Sequence, residues 1–230
     1  MTEEVGNPSI EKRNSLTQQK QCDQVMRLAG VPGADDHSLM MILQNVGPDI
    51  ILSPDAKGRL MIHYLCRYNG HCHETLKVMT LCAPSCAWAS YPGQEGLLPL
   101  HILCRYYQPE WRESARLLLG AHPAAATTSD TRGCTPLHYA CAGGADEELL
   151  RALVAAGPEA AKRADEEGYV PLHYAAELAS SLGSLALLKR AHPAAVMAET
   201  CRGETPVDCL LRNPRAAGES ALRLLLDPDP

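Results

Sequence analysis

The stretch Gly133-Cys-Thr-Pro-Leu-His-Tyr-Ala-Cys141 is the clearest structural signal in this chain, and it returns as Gly168-Tyr-Val-Pro-Leu-His-Tyr-Ala-Ala176. A hydroxyl side chain at Thr135, a proline after it and His138 three residues past the threonine predict the start of a helix. The same spacing of glycine and histidine occurs from positions 58 and 96, and a fifth copy from position 203 has Asp208 instead of histidine. The glycines are 38, 37, 35 and 35 residues apart, which indicates a repeat architecture.

A second series of markers keeps step with the glycines. Prolines recur at Pro48, Pro84, Pro123, Pro158 and Pro193. Five residues before each proline stands a large apolar residue, which predicts a column of core side chains. These residues are Leu43, Met79, Leu118, Leu153 and Leu188. Each unit therefore has one helix after its glycine and a second before its proline, the second helices being predicted at 74–81, 112–119, 147–155, 181–189 and 219–226.

This helix–loop–helix unit, followed by a polar turn that we call a finger, resembles the ankyrin repeat. The resemblance implies an all-α, ankyrin-type helical-repeat solenoid with short β-hairpin or turn fingers between repeats. Five units, numbered 1 to 5, start near residues 55, 93, 130, 165 and 200. Unit 1 has Leu60-Met61 in place of Thr-Pro and unit 5 has Asp208 in place of histidine, so both are expected to be edges of the array.

The same pattern divides the chain into regions. We expect the repeat array to span residues 55–227. Upstream, residues 15–54 carry one more helix pair without the cap motif and are interpreted as an N-terminal capping repeat. Residues 1–14 show no periodicity and are expected to be a flexible tail, and residues 228–230 form the C-terminal end.

Composition limits the classes of protein that remain. The 230 residues are 46% hydrophobic and 21% charged, with a net charge of −6, which fits a globular protein and opposes nucleic-acid binding. We see no secretory signal and no bilayer-spanning run, so we expect no membrane association and an intracellular location, cytoplasmic or nuclear. The ten cysteines are then expected to be reduced.

The recurring histidines and cysteines could suggest chemistry, but they share repeat positions. The cap position holds His63, His101, His138 and His173. We interpret these four as structural, and Cys66, Cys104 and Cys141 as core residues. No catalytic pair or phosphate-binding loop is visible, so we expect neither enzymatic activity nor a cofactor. Cys72, Cys134 and Cys201, in a loop or at fingers, are expected to be the most reactive thiols.

One cluster escapes the repeat rule, and it leaves an alternative open. The loop His71-Cys72-His73 is preceded by Cys66 and followed by Cys82 and Cys86. Zinc accepts such ligands, so region 66–86 could form a metal- or redox-sensing site. Against this, the spacing is not that of a zinc ribbon, and exposed histidines in such a loop would equally be incidental.

The array is expected to act by binding another protein, because a solenoid offers an extended concave face and no deep pocket. At the end of the first helix, Arg67-Tyr68 of unit 1 and Arg105-Tyr106 of unit 2 repeat each other. Arginine and tyrosine are enriched at interface hot spots, although these residues could also be a duplicated surface inherited from one ancestral repeat. The residues expected to contact a partner are Lys57, Arg59, Arg67, Tyr68, Arg105, Tyr106, Arg132, Glu166, Glu167, Glu177 and Arg212.

We therefore expect a monomeric, non-catalytic scaffold or adaptor whose partner presents an acidic or phosphorylated segment. A variant of this function, the targeting subunit of a separate enzyme, also stays open, although no appended motif supports it.

Overall fold

The computed structural model describes residues 20, 23–43, 48–91, 96–178, 181–213 and 218–227. Within these ranges the protein is helical and has no β-strand, in agreement with the all-α solenoid predicted from the repeats. The fingers are turns, not the β-hairpins that were the other possibility. The predicted tail at 1–14, the start of unit 2 near residue 93 and the end at 228–230 lie outside the described residues.

Each unit contributes one helix to each of two layers. The first helices of units 1 to 5 are Met61–Tyr68, Pro99–Arg105, Pro136–Ala142, Pro171–Glu177 and Pro206–Arg212. The second helices are His73–Cys82, Arg112–Ala121, Glu147–Ala156, Leu182–Ala191 and Glu219–Leu226. First helices pack on first helices and second helices on second helices, so the repeats stack side by side.

Upstream of unit 1, residues 23–29 are helical, and two further helices follow, Asp36–Leu43 and Pro48–Ile51. Helix Asp36–Leu43 packs against His73–Cys82 and extends the second-helix layer by one position. Both carboxylate oxygens of Asp36 accept hydrogen bonds at the start of that neighbouring helix, from the N–H groups of Glu74 and Thr75. The interpretation of 15–54 as a capping repeat stays a prediction.

Four of the five marker prolines begin short 3₁₀ helices that the sequence pattern did not reveal, and Pro48 begins the α-helix Pro48–Ile51. The 3₁₀ helices are Pro84–Trp88, Pro123–Thr127, Pro158–Lys162 and Pro193–Met197. Proline suits the first position because its φ is already near the helical value and its missing N–H would have no partner there. The turns bury small residues such as Ala125 and Ala160, and the column of large apolar residues predicted before each proline is buried throughout.

The fingers are fixed by a shared aspartate. In unit 3, Asp130 accepts hydrogen bonds through Oδ1 from the backbone N–H groups of Arg132 and Cys134, both at 2.9 Å. Its Oδ2 accepts from the hydroxyl of Tyr139 at 2.6 Å, which ties the finger to the first helix. Gly133 completes the turn with φ +78°, a conformation that strains other residues. Units 1 and 4 use the same aspartate–tyrosine pair, Asp55 with Tyr64 and Asp165 with Tyr174.

The four cap histidines are structural, as predicted. His138 Nδ1 accepts a hydrogen bond from the N–H of Thr135 at 3.0 Å, and Nε2 lies 3.2 Å from the carbonyl oxygen of Tyr169 in unit 4. Because Nδ1 accepts, Nε2 carries the proton and donates to the next unit. His138 therefore caps its own helix and also joins two repeats, as does His173, whose Nε2 lies 3.2 Å from the carbonyl oxygen of Glu204 in unit 5. The rings of His63 and His101 instead reach the carbonyl oxygens of Ala89 and Thr128, at the ends of their own units.

The expectation that unit 1 has a weaker cap is wrong at the level of hydrogen bonds. The N–H of Leu60 donates to His63 Nδ1 at 2.9 Å, and His63 Nε2 lies 2.9 Å from the carbonyl oxygen of Ala89 at the end of the same unit. The histidine needs only a backbone N–H to cap, so the missing Thr-Pro pair does not remove the bond. Unit 5 is a true edge, because the exposed fraction of Leu211 is 53% where the equivalent residues of units 1 to 4 are buried.

Candidate protein-binding surface

Five side chains of units 1 to 3 form an alternating stack at the ends of the first helices. The Cζ atom of Arg67 lies 5.3 Å from the ring centroid of Tyr68 and 5.1 Å from that of Tyr106. The Cζ atom of Arg105 lies 5.9 Å from Tyr106 and 5.7 Å from Tyr139. All four distances are within the range of cation–π attraction. We call the series Tyr68, Arg67, Tyr106, Arg105 and Tyr139 the Arg–Tyr ladder.

The ladder holds two positive charges in place without neutralising them. Among the described residues, neither Arg67 nor Arg105 has an ion-pair partner. The Nε atom of Arg67 is buried and makes no hydrogen bond, so the terminal N–H groups of its guanidinium are the donors left for a partner. Tyr139 was missed by the sequence analysis. The signal for it was the aspartate–tyrosine pairing, with aspartate three residues before the finger glycine and tyrosine six residues after it.

A recess of about 350 Å³ adjoins the ladder where the repeated Arg-Tyr pair stops. In unit 3 the equivalent positions hold Ala142 and Gly143, so no long side chain fills the space. Arg105 of unit 2 and Arg132 on the finger of unit 3 both line the recess. The remaining lining residues are Cys134, His138, Tyr139 and Tyr174.

The other predicted basic residues have different surroundings. Lys57 is exposed on the finger of unit 1. Arg59 forms an ion pair with Asp55 at 2.7 Å and lies 4.8 Å from the ring centroid of Tyr64. Although partial burial opposes it, hydrogen bonds from Arg59 and Tyr64 hold the pKa of Asp55 well below its usual range. Arg59 therefore stabilises its own finger, and Lys57 is the residue there that projects to solvent.

The predicted residues of units 4 and 5 form a region that is acidic or internally paired. Glu166 and Glu167 are exposed on the finger of unit 4, whose backbone is hydrogen-bonded to the fingers on both sides. Arg212 pairs with Glu204 and lies 3.6 Å from Glu177. The structure thus brings the arginines and tyrosines of units 1 to 3 together. Arg212 lies apart from them and is neutralised by Glu204 and Glu177.

Comparison with known families agrees with this architecture: residues 100–200 match the family model for ankyrin repeats, in 3 copies. This central part of the chain consists of ankyrin repeats. Ankyrin repeats are generally protein–protein interaction modules and are typically non-catalytic. A comparison with curated proteins finds no match. No helix in the described part of this ankyrin array is long and apolar enough to cross a membrane.

The alternative of a metal or redox site at 66–86 finds no support in the ankyrin fold. The His71 ring approaches the carbonyl oxygen of Ala34 at 3.0 Å, and the Cys72 thiol donates to the same oxygen at 3.4 Å. His73 instead lies 3.0 Å from the backbone oxygen of His71. Within the described ranges no three histidine, cysteine or acidic side chains are placed to hold a metal ion. This loop holds the segment upstream of unit 1 against the array.

The expected order of thiol reactivity is wrong for two of three cysteines. Cys201 is exposed as predicted, but Cys72 is fully buried and the exposed fraction of Cys134 is only 4%. Burial raises the pKa of both buried thiols to about 12, so neither forms an appreciable thiolate near neutral pH. The reason is stacking, because a loop or finger that would be open in one repeat is covered by the next. Cys82, which ends its helix, is the other exposed thiol among the described residues.

Proposed function

We propose that this ankyrin repeat protein is a non-catalytic scaffold or adaptor that binds an acidic or phosphorylated segment of a partner protein on its concave face and finger tips. The observation that carries the proposal is the Arg–Tyr ladder, which keeps two arginines ordered and without ion-pair partners among the described residues. An arginine held in this way can form an ion pair with a partner protein without breaking an existing ion pair.

The geometry of the ladder favours carboxylates or phosphates. Tyrosine rings flank Arg67 and Arg105, and a planar guanidinium group offers a partner the N–H groups along its edges. Those edges match the two oxygens of a carboxylate or phosphate group, which they bind in a bidentate fashion. Because the rings already restrict the arginines, binding should lose little side-chain entropy.

The distribution of charge along the array supports binding of the partner segment at units 1 to 3. Lys57 and Arg132, both exposed on fingers, flank the ladder with further positive charge, whereas Glu166 and Glu167 mark the next unit as acidic. An acidic segment should therefore lie across units 1 to 3 and avoid unit 4. The chain's net charge of −6 makes this basic region a local feature and not a property of the whole surface.

The test is a double substitution, Arg67→Gln with Arg105→Gln, which removes both charges and keeps most of the aliphatic stems. Binding is measured with an oriented library of acidic peptides and by affinity capture from native extract. We expect affinity to fall by at least tenfold and to depend less on salt, with the unfolding midpoint nearly unchanged.

The control is Arg190→Gln, which removes one exposed charge from the second-helix layer and should leave binding intact. Unaltered binding by the double variant, with loss instead on changing Glu166 and Glu167 to glutamine, would contradict the proposal. That result would move the site to the acidic finger and reverse the expected charge of the partner.

A further inference from the structure

The recess beside the ladder is lined by charged residues of one sign only. Arg105 and Arg132 line it, and none of the lining residues is acidic. Three other grooves on the described surface also contain basic side chains, but each of them contains acidic ones as well. One is lined by Arg116 and Arg151 with Glu147 and Glu148, one by Lys77 and Arg116 with Glu113, and one by Arg27, Lys57 and Arg59 with Asp23 and Asp55.

The two carboxylates that accept from the tyrosines lining the recess also have donors in their own fingers. Asp130 accepts two backbone N–H groups through Oδ1 and the Tyr139 hydroxyl through Oδ2. Asp165 accepts two backbone N–H groups of its own finger through Oδ1 and the Tyr174 hydroxyl, at 2.6 Å, through Oδ2. The tyrosine hydroxyls thus point at these carboxylates, and the rings form the walls of the recess.

The other polar lining groups add no charge near neutral pH. Burial raises the pKa of the Cys134 thiol to about 12, which keeps it protonated. Burial also lowers the pKa of His138, so its ring is neutral and engaged in its two structural hydrogen bonds. Arg105 and Arg132, from neighbouring units, therefore line a space that has no acidic residue among its lining residues.

The recess stays open because unit 3 departs from the ladder sequence. Ala142 and Gly143 stand where units 1 and 2 have arginine and tyrosine. A Cβ atom at Gly143 would lie 3.1 Å from the Tyr139 carbonyl oxygen and 3.2 Å from that of Cys104, so the backbone passes close to unit 2 at this point. The small residues leave a volume of about 350 Å³ between two aromatic walls.

We propose that this recess binds the phosphate group of a phosphorylated side chain carried by the partner segment, so that phosphorylation of the partner controls its binding. A phosphorylated side chain carries a charge of about −1.5 to −2 near neutral pH, which matches two guanidinium groups, whereas a carboxylate would neutralise only one. This inference rests on the proposed function, because the Arg–Tyr ladder would hold the acidic flank of the same segment.

The experiment compares matched peptides that share one acidic flank and differ at a single residue. One series has serine, aspartate or phosphoserine at that residue, and a parallel series has tyrosine, glutamate or phosphotyrosine. Fluorescence anisotropy measures their affinities for the full chain. We expect at least one phosphorylated peptide to bind tenfold or more tightly than its unphosphorylated form, with the carboxylate peptide in between.

Two variants test the recess by different means. Arg132→Gln removes one charge, and Ala142→Leu fills the recess without changing charge at an exposed helix end. Both should abolish the gain from phosphorylation. Ala142→Leu should leave the affinity for the unphosphorylated peptide within about twofold, whereas Arg132→Gln should weaken it modestly, because Arg132 also flanks the acidic segment. Arg202→Gln, at the same finger position of unit 5, is the matched control and should keep the gain.

The outcomes separate this inference from the function on which it rests. Arg67→Gln should weaken all peptides alike and keep the gain from phosphorylation. If acidic peptides bind through the ladder but phosphorylation adds nothing in either series, or the gain survives both recess variants, the phosphate site is wrong and the proposed function stands. If no peptide of either series binds, both proposals fail.

Discussion

Unit 3 and unit 5 of the array place different residues at the same position, His138 and Asp208, and solve the same capping problem in two ways. In unit 3 the imidazole accepts from the helix start and donates to the next unit. In unit 5 the carboxylate accepts from the N–H and hydroxyl of Thr205, at 2.8 and 2.7 Å, and all of its bonds stay within that unit. A ring with two opposed nitrogens suits an internal repeat, and an acceptor-only carboxylate suits the last one.

The difference teaches that the motif histidine caps its own helix in every unit that has it, and that in units 3 and 4 it also bonds to the next repeat. Val170 in unit 4 has no hydroxyl, yet its N–H donates to His173 Nδ1 at 3.0 Å, and Leu60 does the same for His63. The threonine is therefore optional wherever histidine is present. Stability of a repeat array depends on the interfaces between neighbours, so His138 and His173 strengthen two of these interfaces directly.

The largest expected effect is a loss of folding stability in acid, caused by the four buried cap histidines. Burial lowers the pKa of His101 to about 4 and also lowers those of His63, His138 and His173. In the unfolded chain these rings titrate near 6.5, so below that pH the unfolded state binds protons that the folded state does not. Stability that is complete above pH 6.5 is then lost down to about pH 4, and His101 alone should account for about 2 kcal/mol at pH 5.

Urea denaturation at a series of pH values, followed by circular dichroism, measures this loss. Asp208 provides the contrast, because hydrogen bonds from Thr205 lower its pKa. Its contribution to stability should be complete above about pH 3.8, the ordinary pKa of aspartate. It should then be lost as the pH falls further, through the lowered pKa of the folded state. A free energy of unfolding that does not change between pH 7 and pH 5 would contradict the assignment of neutral, buried histidines.

The next largest effect should come from removing the joint in unit 3. His138→Ala leaves the buried N–H of Thr135 without a partner and removes the hydrogen bond from the ring to the Tyr169 carbonyl, which should together reduce the free energy of unfolding by about 3 kcal/mol. His63→Ala should cost nearly as much, because His63 makes the same two bonds. Asp208→Ala should cost clearly less, because Asp208 is exposed and joins no second unit.

Chemical denaturation of the three variants under one set of conditions measures these differences. Equal losses for His138→Ala and Asp208→Ala would mean that local capping, and not the inter-repeat bond, carries the stabilisation. A much smaller loss for His63→Ala would restore the view of unit 1 as a weak edge.

The smallest effect is expected for Thr135→Val, which copies the valine of unit 4 into unit 3. The substitution removes the hydroxyl, 2.9 Å from His138 Nδ1, and keeps the branched shape and the backbone hydrogen bond. We expect a loss of less than about 1 kcal/mol in the same denaturation experiment. Thr205→Val, which also leaves the N–H of Asp208 without its hydroxyl acceptor, should cost more. The reverse order would show that the hydroxyl matters more where histidine is present.

The sequence determined the repeat, its period, the two helices of each unit and the core column, because these depend on local capping and on helical periodicity. It also indicated Arg67, Tyr68, Arg105 and Tyr106 as neighbours, since residues at one repeat position must lie side by side in a stack. Only the tertiary structure decided which side chains the next unit covers. It buried Cys72 and Cys134, paired Arg212 with its own glutamates, and brought Tyr139 and Arg132 to the end of the ladder. These outcomes depend on contacts between repeats. The sequence pattern within one repeat does not show which of its side chains the adjacent repeat will bury or pair.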